Sequence, residues 1–140
     1  MNREYRSEQE LVEVLLGHLS SEASPWPLSK MKTEFDYANG RTDIIGLLGS
    51  STVLALEAKL TKWREALQQA YRNTCFAHQS LVVLPQKIAE RASAFRREFE
   101  NRKVGLCGVG PEGVIVLIEP CGIEPLMPCL TSKAITVLEH

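Results

Sequence analysis

With 140 residues, 44% of them hydrophobic, the chain has the size and composition of one globular domain with a sizeable core, which excludes a disordered or fibrous protein. No run of about 18 apolar residues occurs, so no transmembrane helix is expected, and a formal net charge of −1 excludes nucleic-acid coating by global charge; any phosphate contact needs a local patch. Cys75, Cys107, Cys121 and Cys129 are widely spaced with no C-x-x-C pair, which points to reduced, buried thiols and away from a zinc site or disulfide framework.

Met1-Asn2-Arg3-Glu4 leads into a charged amphipathic stretch and not an apolar signal segment, so the expected location is cytoplasmic. Ser7 is a candidate N-cap with Glu10 as its capping-box partner, opening a helix to Leu19 or Ser20. Leu11, Val12, Leu15, Leu16 and Leu19 form its apolar face, and Glu8 falls near the middle of that face. Glu8 is either a solvated first-turn acid favoured by the helix dipole or a carboxylate aimed at a site. Ser21–Leu28, with Pro25 and Pro27, reads as a loop whose Trp26 lids the core, with stacking on a base as the alternative. Lys30–Tyr37 reads as a strand, with Met31, Thr33, Phe35 and Tyr37 alternating against Lys32, Glu34 and Asp36, and Ala38-Asn39-Gly40 turns the chain. Arg41 either meets a phosphate or pairs with an acid.

Residues 41–60 then form two apolar runs joined by Gly49-Ser50-Ser51, a β-hairpin of Thr42–Leu48 and Thr52–Leu60. Alternation points Glu57 and Lys59 the same way as Val53 and Ala55, with Leu54, Leu56, Ala58 and Leu60 facing the other layer. Pairing across the turn brings Asp43 opposite the end of the second strand, so three ionisable groups converge. Carboxylates in so apolar a run are costly to bury unless paired or bound to a cation. Two acidic oxygen donors beside an ammonium suit Mg²⁺, with waters and substrate phosphate completing its shell. The matching chemistry is phosphodiester hydrolysis.

Thr61 reads as the N-cap of a helix to about Ala77, with Trp63, Ala66, Leu67, Ala70, Thr74 and Ala77 as its packing stripe; Gln68, Gln69 and Tyr71 lie on the remaining surface, part of which borders the site. Ser80–Leu84 is a buried strand stopped by Pro85, parallel to its predecessor, which makes the fold α/β. Gln86–Asn101 reads as one amphipathic helix with Ile88, Ala92, Phe95 and Phe99 inward; its arginines interleave with Glu90, Glu98 and Glu100 as a salt-bridged face. Val104–Gly108 and Gly113–Ile118 flank a turn, and Lys133–Leu138 reads as a last edge strand. His18 and His78 fall on helix surfaces without ligand partners. Residues 1–137 form the expected domain, with Leu138-Glu139-His140 resembling the stub of an expression tag.

Asp43, a spacer ending in the apolar Val53–Leu56, and Glu57-Ala58-Lys59 resemble the D…ExK core of the PD-(D/E)xK nuclease superfamily, which includes restriction endonucleases and Holliday-junction resolvases. Thr42 stands where the proline of the name would be. The order of elements matches the restriction-endonuclease-like αβββαβ core, a mixed central sheet flanked by helices. The resemblance implies a Mg²⁺-dependent endo- or exodeoxyribonuclease, with Mn²⁺ as a substitute. It assigns Asp43, Glu57 and the Ala58 carbonyl as metal ligands and Lys59 to the attacking water. Ser7-Glu8-Gln9-Glu10-Leu11-Val12 resembles the first helix of archaeal Holliday-junction resolvases, which implies that Glu8 assists the metal centre. A Gln and a Tyr on the second helix orient substrate in several members, which implies Gln68 as a further catalytic candidate, although Gln68 and Tyr71 are spaced differently. The implied partners are DNA, a second copy of the chain meeting through Val114–Ile118, and a larger assembly. Two alternatives stand beside this reading: a non-catalytic nucleic-acid-binding or regulatory module on the same scaffold, and a structural domain in which Glu57 and Lys59 form an ion pair at a strand end.

Overall fold

Ser7 accepts a hydrogen bond from the Glu10 N–H at 3.1 Å and so begins α1 (Glu8–Leu19), as its capping pattern predicts. The computed structural model describes residues 5–38 and 40–140; Met1–Glu4, read as the charged start, and Asn39, placed in the first turn, lie outside the described residues. After α1 come β1 (Leu28–Asp36), β2 (Arg41–Leu48), β3 (Thr52–Ala58), α2 (Trp63–Asn73) and β4 (Gln79–Pro85). This is the αβββαβ order expected from periodicity. The chain continues through α3 (Gln86–Ala92), a 3₁₀ turn (Ser93–Phe95), α4 (Arg96–Asn101), β5 (Gly105–Gly110), β6 (Gly113–Ile118) and α5 (Pro128–Glu139).

The six strands form one mixed sheet in sequential order, β1 to β6. β3, β4 and β5 run parallel, joined by helical crossovers, whereas the β1–β2, β2–β3 and β5–β6 pairs are antiparallel. Alternation in β3 explains why both of its faces are apolar. Leu54, Leu56 and Ala58 pack beneath α1, with Leu11, Leu15, Leu19 and the lid residue Trp26 above them. Val53 and Ala55 point to the opposite layer, where Phe76 and the α5 residues Ala134 and Leu138 cover them. Further along that second layer, α2, α3 and α4 cover Val82, Leu84 and Leu106. The result is a mixed α/β sheet flanked by helices on both faces. Among the described residues no helix is long and apolar enough to cross a membrane.

Gly105 lets β5 pass against the start of the C-terminal segment. A Cβ there would lie 2.7 Å from the Ile118 carbonyl oxygen and 2.8 Å from the Pro120 nitrogen, both main-chain atoms that cannot rotate away. Gly105→Ala is therefore expected to lower the unfolding free energy by about 1–3 kcal/mol, read as an earlier urea midpoint. An unchanged midpoint would mean that the strand shifts freely.

Several elements differ from the sequence reading. Residues 133–138 are helical, not an edge strand: Pro128 occupies the first turn of α5, and Thr131, Ala134 and Leu138 bury at helical spacing. Their β-branched neighbours imitate a strand pattern, but Thr131 Oγ1 donating to the Phe76 carbonyl at 2.7 Å anchors a helix. Leu138 itself packs in the core. The helix expected over 86–101 breaks at Ser93, whose hydroxyl donates to the Glu90 carbonyl at 2.6 Å and competes with the helix ladder, and Phe95 turns outward with 46% exposure. α2 begins after Lys62 without a side-chain cap from Thr61 and ends at Asn73. Cys107 is buried, but Cys121 and Cys129 are exposed, so burial of all four thiols does not hold. His78 lies outside any helix, its Nδ1 accepting from the Val53 N–H at 3.0 Å.

Candidate active site

The β2–β3 ladder runs from Leu48↔Thr52 to Ile44↔Leu56 and then opens, whereas β1–β2 pairing continues to Asp36↔Arg41 and β3–β4 pairing to Ala58↔Val83. Past Ile44 and Leu56 the two central strands therefore fork. The next residue on each side of the fork is acidic: Asp43 on β2 and Glu57 on β3. Asp43 Oδ2 accepts from the Ala58 N–H at 2.8 Å, taking the place of the main-chain acceptor that the opened ladder no longer supplies.

The fork coincides with a rotation of the outer strands. Met31 packs on the α1 side, but Phe35 and Tyr37 pack on the α5 side, so the single face expected for Met31, Thr33, Phe35 and Tyr37 is split. Between them, Glu34 adopts φ +54°, a left-handed conformation that costs a non-glycine residue roughly 1–2 kcal/mol. Across the ladder, Ile44 packs under α1 while Thr42 turns to α2, donating from Oγ1 to Asn73 Oδ1 at 3.0 Å. Asp43 sits at this change of face.

Glu57 is 1% exposed. Its pKa is pushed up to about 8, first by burial and then by the charge of Asp43, while hydrogen bonds from the Asn73 amide and the Asp43 backbone pull the other way. Burial and the adjoining Asp43 charge thus favour the protonated form of Glu57. Lys59 lies one residue beyond the end of β3, its N–H donating to the Val83 carbonyl at 3.1 Å. Its ammonium is 3.8 Å from Glu8 Oε1 in the first turn of α1. That pair is partly solvated, with side chains 21% and 47% exposed, so it orients the lysine without adding much stability.

The structure thus sets Asp43 beside Glu57, as the hairpin reading expects, and pairs Lys59 with Glu8, the acid that the first-helix resemblance also singles out. Gln68 is exposed on α2, about 140° around the helix axis from Asn73, the α2 residue that reaches Glu57. Tyr71 is likewise exposed. Asn73 was the residue missed by sequence reasoning, and its signal was present: a polar residue in register with the apolar stripe Ala66, Leu67 and Ala70. Beside the fork, a groove of about 410 Å³ between α1 and β1 is lined by Glu8, Glu13, Glu34 and Asp43, together with Gln9 and Thr33.

The donor set fits a hard divalent cation in one respect and limits it in another. Asp43 and Glu57 present adjacent oxygens whose mutual repulsion a cation would relieve. Among the described residues no three His, Cys, Asp or Glu side chains group to hold an ion. Such an ion would depend on main-chain, water or substrate oxygens for the rest of its shell, which is the habit of Mg²⁺.

No family model and no curated protein matches the chain. Among solved structures it is similar to the SPO1766 protein of unknown function from Silicibacter pomeroyi, with a TM-score of 0.67 and 15% identity, covering 98% of this chain and 86% of that one. It is also similar, at a TM-score of 0.41 and 11% identity, to Pyrococcus furiosus SfsA in complex with Ca²⁺, covering 83% of this chain and 63% of that one. The likeness to SPO1766 shows a shared fold.

Proposed function

We propose that this chain is a divalent-cation-dependent nuclease of the PD-(D/E)xK kind, acting on DNA phosphodiesters. The observation that carries the reading is the fork itself: the two carboxylates of the D…ExK pattern meet where the central strands part, on an αβββαβ core, with the pattern's lysine one residue beyond the end of β3. Asp43, Glu57 and the Ala58 carbonyl would hold Mg²⁺ or Mn²⁺. When bound, the cation supplies Lewis-acid chemistry, neutralising charge at the reacting phosphate and acidifying a water.

The chain's own residues supply the rest. Glu57, whose protonated form is favoured by burial and by the Asp43 charge, gives up its proton so that both carboxylates can bind a cation. Lys59 donates a hydrogen bond to the attacking water and offsets charge developing on the phosphate. Glu8 pairs with the lysine from α1. Gln68 has no part in this scheme.

The test is incubation of the protein with branched and linear DNA in Mg²⁺, in Mn²⁺ and in EDTA. Cleavage in either metal and none in EDTA is expected. The acid-lined groove favours a second reading, because Glu8, Glu13, Glu34 and Asp43 repel a phosphate backbone when no cation is present. On that reading the scaffold binds nucleic acid without turnover, and the same assay would show Mg²⁺-dependent binding with the DNA left whole. A homodimer or a larger assembly is a further proposal, tested by light scattering with and without DNA.

A further inference from the structure

Asn73 is 1% exposed on the packing face of α2, where an amide is costly unless its hydrogen bonds are met. Three neighbours meet them. The Tyr37 hydroxyl donates to Asn73 Oδ1 at 2.9 Å and the Thr42 hydroxyl donates to the same oxygen at 3.0 Å. Asn73 Nδ2 donates to Glu57 Oε1 at 2.8 Å. The amide oxygen faces the two hydroxyls, on the opposite side of the amide from its NH₂ group. The nitrogen is therefore directed at Glu57.

The donors are themselves held. The Tyr37 ring packs against Phe35 and Phe76, with centroids 6.0 and 4.8 Å away. Burial pushes its hydroxyl up to about 12, so it stays protonated and able to donate at neutral pH. Thr42 is fully buried on β2, next to Asp43. The network thus joins the segment after β1, the strand carrying Asp43, and α2, and it ends on one oxygen of Glu57.

Resting on the nuclease reading, we infer that Asn73 is a positioning residue, which holds Glu57 by one oxygen and leaves the other for a cation shared with Asp43. A purely structural amide would support the fold and leave cation affinity alone.

The experiment is a calorimetric Mn²⁺ titration of wild type, Asn73→Ala and Asn73→Ser, with thermal melts to establish folding. Asn73→Ser keeps a polar partner for the two hydroxyls but is too short to reach Glu57. Both variants are expected to bind Mn²⁺ about 10–100-fold more weakly than wild type, as is usual when the partner of a metal ligand is removed. A folded variant within about twofold of wild type, in a protein that does bind Mn²⁺, overturns the role of Asn73 and leaves the nuclease reading standing. Wild type that takes up no Mn²⁺ overturns the nuclease reading and this role with it. In metal-free protein, the Asn73 side-chain amide resonances are expected to move when Glu57 is replaced by Gln; resonances that stay in place show that Asn73 does not hold Glu57.

Discussion

Asp43→Asn is expected to abolish Mg²⁺-dependent cleavage while leaving a protein at least as stable as wild type in metal-free buffer at pH 8. The carboxylate is one of two that face each other across the fork, and its charge is the second cause, after burial, of the raised pKa of Glu57. Removing that charge removes a repulsion from a site where Glu57 is almost wholly enclosed. The asparagine oxygen can still accept from the Ala58 N–H, so the hydrogen bond that closes the opened ladder is preserved. Alanine would lose that acceptor and confuse the two effects. Activity should fall by well over the roughly 10–100-fold typical of losing a mere partner of a metal ligand. Cleavage at the wild-type rate would remove Asp43 from the mechanism, and a lower melting temperature at pH 8 would show that the pair is not repulsive.

The second large effect is on stability against pH. The Glu57 carboxyl titrates near 4.5 when unperturbed and at about 8 in the folded protein. Below the lower value it is protonated in both states and costs nothing. Between the two values the unfolded chain loses the proton while the folded one keeps it, so the unfolded state gains and stability falls as pH rises. Above the upper value the full penalty is present. Glu57→Gln, neutral throughout, removes this dependence. Urea unfolding in EDTA should show the variant gaining on wild type from pH 5 to pH 9, by an amount on the order of 3 kcal/mol. A constant difference between the two proteins over that range would mean that Glu57 is not held protonated.

The parts of the fold that could be read from sequence are those in which local pattern and tertiary burial agree. Ser7 and Glu10 mark the start of α1, Gly49-Ser50-Ser51 separates two apolar runs, and Pro85 follows a run too apolar to be anything but a central strand. The acids of the site stood out for the same reason, being charged residues in sequence that is otherwise buried. What could not be read depends on contacts that alternation does not encode. The pattern of β1 misleads because the strand changes face at Glu34, a left-handed residue that no glycine signals. In α5 the Ile135, Thr136 and Val137 side chains carry strand propensity, and packing against Phe76 and Ala77 overrides it. Asn73 belongs to the site only because Tyr37 and Thr42, distant in sequence, converge on its amide.

The most direct test of the central claim, that Asp43 and Glu57 form a cation-binding fork, is a calorimetric Mg²⁺ and Mn²⁺ titration of wild type beside the Asp43→Ala/Glu57→Ala double variant. Saturable binding by wild type, lost in the double variant while its fold is retained, is the predicted result. Equal binding by both proteins, or none by either, would contradict it and reduce Glu57 and Lys59 to an acid and a base at the end of a strand.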